Sequence, residues 1–196
     1  GGGSLIYANV MLEPPDAVFA DPRWPSSCDR SAMAPYYDTV RTVLAARPIP
    51  APTTPERRLP RTKMYQDAAA AMGRSSRLLD LAVFFGPDPE DPLPPGVRAP
   101  NRYGVEQTSC TYCAECCIGC NEHSKGSLDL NDLFVAEHRH GATVATECLA
   151  ESIVPVNEAG QADPGADGTH GYRVTYRVLD DEASTTVLAR RVIVSA

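Results

Sequence analysis

Gly171–Leu179 reads GYRVTYRVL, a stretch in which apolar and polar residues alternate. Such alternation is typical of a strand with one buried face. The same pattern recurs in three other segments, which are Thr143–Thr146, Glu151–Val156 and Thr185–Val194. Residues 160–168 and 180–182 separate the segments as turns. The sequence therefore predicts a β-meander of three or four strands over residues 141–196, and the closing Val192–Ala196 is predicted to be a buried strand.

Helical spacing of apolar residues predicts three helices earlier in the chain. They are Tyr36–Ala46, Thr62–Met72 and a segment from Ser127 to about His140. Gly73 and Gly141 follow the second and third and are the expected C-caps.

Three segments between the predicted helices lack helical spacing. Leu81–Phe85 is predicted to be a short strand, and the apolar Leu5–Met11 is expected to be buried. The proline-rich run 87–100 is predicted to be a long surface loop that joins no ladder and no helix, because proline lacks an N–H group. A loop of this length is usually functional, so we expect the cysteines that follow it to lie on irregular backbone.

The highest density of reactive side chains is a cysteine-rich loop at residues 110–120. Five of the seven cysteines lie there, namely Cys110, Cys113, Cys116, Cys117 and Cys120. Four of them follow C-x2-C-x2-C-x3-C, the spacing of a bacterial ferredoxin site, although Asn121 replaces the proline that ends that run. Thiolates this close together converge on a soft metal centre. All five are candidate ligands of an iron–sulfur cluster.

Two other interpretations of the loop are open. Some of the thiols could bind a structural zinc ion together with His123, although zinc sites usually contain a second, separated pair of ligands. The cysteines could also be structural, either reduced or joined in disulfides. Outside the loop, Cys28 and Cys148 are predicted to be buried small apolar residues rather than ligands.

Composition limits the classes of partner. The chain has 196 residues, a formal net charge of −7 and 43% hydrophobic residues, which is enough for a domain with a core. Its 18 basic residues are scattered, so we expect no nucleic-acid partner. The sequence contains no apolar run long enough for a membrane span and no signal-peptide pattern. Clustered cysteines favour a reducing compartment, and the predicted location is the cytoplasm, with a periplasmic or membrane-associated complex as the alternative.

Four segments resemble the glucose-methanol-choline oxidoreductases, in particular their cholesterol-oxidase-like branch, and they occur in the same order as in that family. They are Gly1–Val10, Gly126–Leu133, His140–Val144 and Val192–Ala196. The resemblance implies an internal fragment of an FAD-dependent enzyme that oxidises the CH–OH group of an alcohol, sterol or sugar by hydride transfer to flavin N5. It also implies that the catalytic histidine and its partner lie outside these residues, so no catalytic residue is assigned, and the fragment is expected to be inactive alone.

The resemblance further implies a set of cofactor contacts. These are Gly2, Gly3, Ser4, Tyr7, Ala8 and Asn9 near the flavin or its pyrophosphate, and the main chain of Ala150 near the adenine. The cysteine loop is similar to one in flavin sugar dehydrogenases that carry an iron–sulfur cluster, which would imply an electron-acceptor subunit as a further partner.

The fold class implied by these patterns is mixed α/β. Residues 1–140 would be part of an FAD-binding, Rossmann-like domain and of a substrate domain, and would contain the loops 87–100 and 110–120. Residues 141–196 would be the β-meander that returns to the FAD-binding domain. The alternative function is an iron–sulfur electron-transfer or metal-binding module centred on the cysteine loop.

Overall fold

The computed structural model describes residues 2–50, 59–181 and 183–195. The chain divides into two compact units, Gly1–Ala142 and Thr143–Ala196. Helices and antiparallel sheets are both present, which confirms the mixed α/β class. None of the helices in the described ranges is long and apolar enough to cross a membrane.

The first unit contains the helices. They are α1 at Gly3–Ile6, α2 at Asp16–Phe19, α3 at Arg30–Val43, α4 at Pro60–Ala71 and α5 at Asp132–His140, the last preceded by a 3₁₀ turn at Leu128–Leu130. The predicted helix at Tyr36–Ala46 begins earlier, at Arg30, because the side chain of Asp29 accepts a hydrogen bond from the N–H of Ala32 and caps the first turn.

The other two predicted helices are present with different bounds. Helix α4 ends at Ala71, and Met72 separates it from Gly73, whose φ of +66° is left-handed. Gly141 ends α5 with a φ of 68°, as expected of a C-cap glycine. The third predicted helix is interrupted at Asn131, where the backbone leaves helical geometry and the side chain accepts a hydrogen bond from the N–H of Asp132.

The core of the first unit is the segment Ala82–Phe85, all of which is buried. The predicted strand at Leu81–Phe85 is regular only at its start, where β2 (Asp80–Leu81) pairs with β1 (Val10–Met11) in antiparallel fashion. Beyond it, main-chain bonds join Ala82 N–H to Asn9 O at 2.8 Å and Phe84 N–H to Ser124 O at 2.7 Å. This segment therefore holds the N-terminal residues on one side and residues 124–126 on the other.

A short hairpin corrects the prediction for the proline-rich loop. Strand β3 (Arg98–Pro100) pairs with β4 (Glu106–Thr108), so the end of the run does join a ladder. Pro100 fits there because it is the last residue of a strand in a two-stranded sheet, where its missing N–H costs no interior bond.

Three strands in the order β5-β6-β7 form the second unit. They are β5 at Cys148–Pro155, β6 at Tyr172–Val178 and β7 at Ser184–Ala189, and both pairings are antiparallel. The β-meander is confirmed with three strands. The predicted strand at Thr143–Thr146 is wrong, since no strand forms there.

Two apolar segments are exposed rather than buried. Ile193 is 91% exposed and residues 191–195 form no strand, so the predicted buried strand at the end of the chain is wrong in the described residues. Ile6 is 72% exposed, and Leu5 and Val10 are also exposed, which corrects the expectation of a buried N-terminal segment. Apolar character gave the prediction in both cases, but none of the described segments covers these side chains.

Candidate cofactor and metal site

Four of the five clustered cysteines line one small cavity, of about 20 Å³. They are Cys110, Cys113, Cys116 and Cys120. This cavity is called the cysteine pocket below. Cys117 does not line it and is exposed, and His123 does not line it either. Four of the five candidate cysteines thus line one cavity, whereas Cys117 and His123, the candidate zinc partner, do not.

The backbone of the loop is bent by residues in the left-handed region. Tyr112 has a φ of 61°, Ala114 of 63° and His123 of 56°, and Gly119 has a φ of 112°. Left-handed backbone is unfavourable for residues with a side chain and is often found at binding sites. These bends interrupt any regular structure, which confirms the predicted irregular loop.

Main-chain N–H groups point at two of the sulfurs. Tyr112 N–H donates to Cys110 Sγ at 3.4 Å, and Ser124 N–H donates to Cys120 Sγ at 3.3 Å. Hydrogen bonds of this kind stabilise negative charge on sulfur and tune the potential of sulfur-bound metal centres.

Burial favours the neutral form of two thiols of the pocket, those of Cys110 and Cys116. Burial, followed by proximity to the other three cysteines, raises the pKa of Cys110 to about 11, and only the hydrogen bond from Tyr112 opposes the shift. Burial also raises the pKa of Cys116, with Cys120 and Cys113 adding to the effect, while a hydrogen bond from Asn9 and the charge of Lys125 act in the opposite direction. Four thiols are thus close enough to influence each other electrostatically.

A buried lysine lies beside the sulfurs. Lys125 is only 3% exposed and lines the cysteine pocket. Its ammonium donates to three main-chain oxygens, of Leu5 at 2.6 Å, Tyr7 at 3.1 Å and Cys116 at 3.0 Å. It forms no ion pair with a carboxylate in the described part of the chain. Lys125 therefore joins the N-terminal segment to the cysteine loop through hydrogen bonds. The acidic residue Glu122 lines the same pocket but forms no ion pair with Lys125 in the described residues.

Two hydroxyl groups of the pocket have no hydrogen-bond partner in the described residues. They are Thr111 Oγ1 and Ser124 Oγ, and both residues line the cysteine pocket. Ser124 is only 2% exposed. Buried polar atoms are usually paired, so we expect a water molecule or a bound group in this cavity to accept their hydrogen bonds.

The described residues contain no group of three or more histidine, cysteine or acidic side chains arranged to hold a metal ion. All seven cysteines are free thiols. Cys28 and Cys148 are half-buried rather than buried, which corrects that prediction. The predicted iron–sulfur ligation stays a prediction.

The N-terminal residues with predicted cofactor contacts differ in their surroundings. Gly2 and Gly3 are exposed, and a Cβ atom added to either would meet nothing within 4 Å. Ser4 Oγ accepts a hydrogen bond from the N–H of Leu128 at 3.3 Å. Gly1, the first residue of the segment that resembles the family, lies outside the described residues.

The rest of that segment is attached to the cysteine loop. The Tyr7 hydroxyl donates to Gly126 O at 2.9 Å, and its ring lies 5.2 Å from the Lys125 ammonium. Asn9 is buried with a left-handed φ of 58°, and its side chain bonds Cys116. Ala8 is exposed. The structure thus brings Tyr7 and Asn9 to the cysteine pocket, which the sequence did not predict.

Ala150 belongs to the second unit. It is exposed in β5 and pairs with Tyr176, next to an irregularity in the register between Ala150 and Ser152. Such a bulge leaves main-chain groups unpaired locally. The predicted main-chain contact at Ala150 remains a prediction.

A larger cavity of about 510 Å³ lies elsewhere in the first unit. Its lining includes Arg41, Arg47, Arg102 and residues 83–87. None of the predicted cofactor residues lines it. Its size would suit a small ligand, but the cavity gives no support to the predicted flavin contacts.

Comparison with known proteins gives the family. The chain is 31% identical over 180 residues to a cholesterol oxidase from Acinetobacter baumannii, a match that covers 89% of this chain and 30% of that protein. It is 33% identical over 144 residues to a cholesterol oxidase from Mycobacterium tuberculosis, which covers 70% of this chain and 24% of that protein. No protein-family model and no solved structure gives a significant match.

The chain therefore spans about a third or less of the length of the curated relatives that it matches. The similarity nevertheless extends over most of its own residues. The chain is a homologue of the cholesterol oxidases and belongs with them to the glucose-methanol-choline oxidoreductase family.

Proposed function

We propose that the chain is part of an FAD-dependent oxidoreductase that oxidises the CH–OH group of an alcohol, a sterol or a sugar. The observation that carries the proposal is the 31% identity to the Acinetobacter baumannii cholesterol oxidase over 180 residues. A sterol is the first substrate class to test, because that protein is named for one. The base that accepts the hydroxyl proton would lie outside these residues.

The N-terminal segment supplies the proposed cofactor contacts of the first unit. FAD would accept the hydride of the substrate at N5. Gly2 and Gly3 leave their main chain uncovered, which supports a close approach to a planar or phosphate group. Tyr7 and Asn9 anchor the segment through Gly126, Cys116 and Ala82, so the main chain between them is held in place.

A second candidate function is electron transfer through an iron–sulfur cluster, or binding of another metal, at the cysteine loop. It is favoured by one observation, the convergence of four cysteines on one cavity. With such a centre beside the flavin segment, the enzyme would be a dehydrogenase that passes electrons to an acceptor subunit rather than an oxidase. The proposed location is the cytoplasm, with a periplasmic or membrane-associated complex as the alternative.

The test is an absorption spectrum of the full-length protein, followed by chromatography of the released cofactor. We expect flavin bands and released FAD, and we expect the flavin to be bleached without oxygen by one of three substrate classes, a sterol, a sugar or a simple alcohol. Reoxidation by dioxygen or by a one-electron dye then separates an oxidase from a dehydrogenase. A protein that never contains flavin would contradict the proposal.

A further inference from the structure

The cysteine pocket contains three features that the proposed flavin chemistry does not use. Four thiols line it, a buried ammonium without a carboxylate partner lies beside it, and two hydroxyls around it have no hydrogen-bond partner in the described residues. The thiols can ligate a metal centre, the ammonium favours a negatively charged group, and the hydroxyls can donate hydrogen bonds to it. A buried cation is costly unless a negative charge compensates it, and unpaired buried hydroxyls are rare. Together they indicate that the pocket binds a sulfur-ligated, negatively charged centre.

A single metal ion does not match this arrangement. A tetrahedral ion binds thiolates at about 2.3 Å, which brings their sulfurs to within about 4 Å of one another. In the parts of the chain that the structure describes, no group of three or more candidate ligands is arranged to hold an ion. The four cysteines line the same cavity and follow the C-x2-C-x2-C-x3-C spacing of a ferredoxin site. A structural zinc site usually contains a second, separated pair of ligands, so this spacing favours an iron–sulfur core over one zinc ion.

We propose that the cysteine pocket binds one [4Fe–4S] cluster. Its ligands are Cys110, Cys113, Cys116 and Cys120. Cys117 is not a ligand, because it does not line the pocket although it neighbours Cys116 in sequence. The fourth cysteine of the run lines the same pocket as the first three, so it serves the same cluster and not a second one.

Binding balances in charge and atoms. Four thiols release four protons, and their thiolates bind a core of two ferrous ions, two ferric ions and four sulfide ions, which gives the site a total charge of about −2 with no change in oxidation state. The ammonium of Lys125 offsets part of that charge from within the pocket wall. The N–H groups of Tyr112 and Ser124 already point at sulfur, and the Ser124 hydroxyl gains an acceptor.

The loop has to widen to accept the core, since the cavity of the thiol form is only about 20 Å³. The backbone permits this. The loop contains no helix or strand, and Cys113 is exposed, so outward movement breaks no regular hydrogen-bond ladder. The left-handed residues Tyr112 and Ala114 fix the bends on either side of Cys113.

The test is iron and sulfide analysis with electron paramagnetic resonance of the reduced full-length protein, purified without oxygen and reconstituted with ferrous iron, ferric iron and sulfide. Single alanine variants of Cys110, Cys113, Cys116 and Cys120 are compared with Cys117→Ala, the matched control in the same loop. We expect about four iron and four sulfide ions per chain in the wild type and in Cys117→Ala. We expect at least a twofold loss in each ligand variant, with circular dichroism used to show that these variants fold.

Three outcomes would overturn the inference: no iron after reconstitution, zinc as the only bound metal, or a loss of iron in Cys117→Ala equal to that of the ligand variants. The inference deepens the second candidate function and rests on it, while flavin measured in the same samples tests the proposed flavin enzyme separately. Flavin without iron overturns the cluster and leaves the oxidoreductase. Iron and sulfide without flavin supports the cluster and overturns the flavin enzyme.

Discussion

The ammonium of Lys125 donates a hydrogen bond of 2.6 Å to the main-chain oxygen of Leu5. The same ammonium also binds the oxygens of Tyr7 and Cys116, so one side chain connects the N-terminal segment with the cysteine loop. Segments that are far apart in sequence are thereby fixed against each other. The flavin contacts proposed for the N-terminal segment and the cluster proposed for the cysteine pocket would share this connection.

We expect Lys125→Met to loosen the N-terminal segment. Methionine keeps most of the length of the side chain but leaves three main-chain oxygens without their donor, at a cost of about 2 kcal/mol. Urea unfolding of the full-length protein should show a lower midpoint, and hydrogen exchange should be faster at the Tyr7 amide, which bonds Gly3 O. The control is Lys63→Met, an exposed lysine paired with Asp67, for which about 0–0.5 kcal/mol is expected. Equal effects of the two substitutions would contradict the role assigned to Lys125.

Asn101 connects the β3–β4 hairpin with the residues before α5. Its Nδ2 donates to Gln107 Oε1 at 2.9 Å and to Leu130 O at 2.8 Å, while its Oδ1 accepts from the N–H groups of Tyr103 and Val105. We expect Asn101→Ala to lower the free energy of unfolding by about 2–4 kcal/mol, because it leaves several partners unpaired in a partly buried site.

Asn157→Ala is the matched control for Asn101→Ala. The Asn157 side chain also accepts from two main-chain N–H groups, those of Ala159 and Gln161, but in an exposed turn. Water can replace it there, so we expect a loss of no more than about 1 kcal/mol. Thermal melting of both variants gives the comparison, and a larger loss for Asn157→Ala would show that burial does not set the effect.

Helices and strands could be predicted where they depend on residues that are neighbours in sequence. The alternation in Gly171–Leu179 and the C-cap at Gly141 depend on residues that are close in sequence, and both predictions are confirmed. Exposure depends on partners elsewhere in the chain. Ile6 and Ile193 are apolar, yet none of the described segments covers them, so a burial prediction based on their character alone is wrong.

Spacing identified the cysteine loop but not its geometry. Cys116 and Cys117 are adjacent, yet only Cys116 of the two lines the pocket, in a loop with left-handed bends at Ala114 and Gly119. Lys125 gave no local signal either, because its partners Leu5 and Tyr7 are 120 and 118 residues away. Contacts at such separation are products of the tertiary fold.

Gly171 provides a test of the second unit. Its φ is +98°, and a Cβ atom there would lie 2.6 Å from the main-chain oxygen of Ala189. We expect Gly171→Ala to cost more than about 2 kcal/mol, since both the left-handed backbone and the clash oppose it. Gly160→Ala is the control, with a φ of +74° but nothing within 4 Å, and should cost about 1 kcal/mol. Circular dichroism gives the melting temperature of each variant. Equal melting temperatures would contradict the explanation by a clash with Ala189.

Substitution of Gly2 and Gly3 distinguishes a structural role of these glycines from a role in cofactor binding. An added Cβ meets nothing within 4 Å at either position, and the φ of −100° at Gly2 is open to any residue. The double variant Gly2→Ala and Gly3→Ala should therefore change the free energy of unfolding by less than about 0.5 kcal/mol. If the uncovered main chain lies against the flavin or its pyrophosphate, the same variant should lose most of its bound FAD, because the methyl groups would occupy the space of the cofactor.

The control is Gly165→Ala. Gly165 is a surface glycine of the second unit without left-handed backbone, so this variant should keep its FAD. Flavin absorbance per chain after gel filtration measures the outcome, and full retention of FAD by the double variant would show that the two glycines serve only the turn.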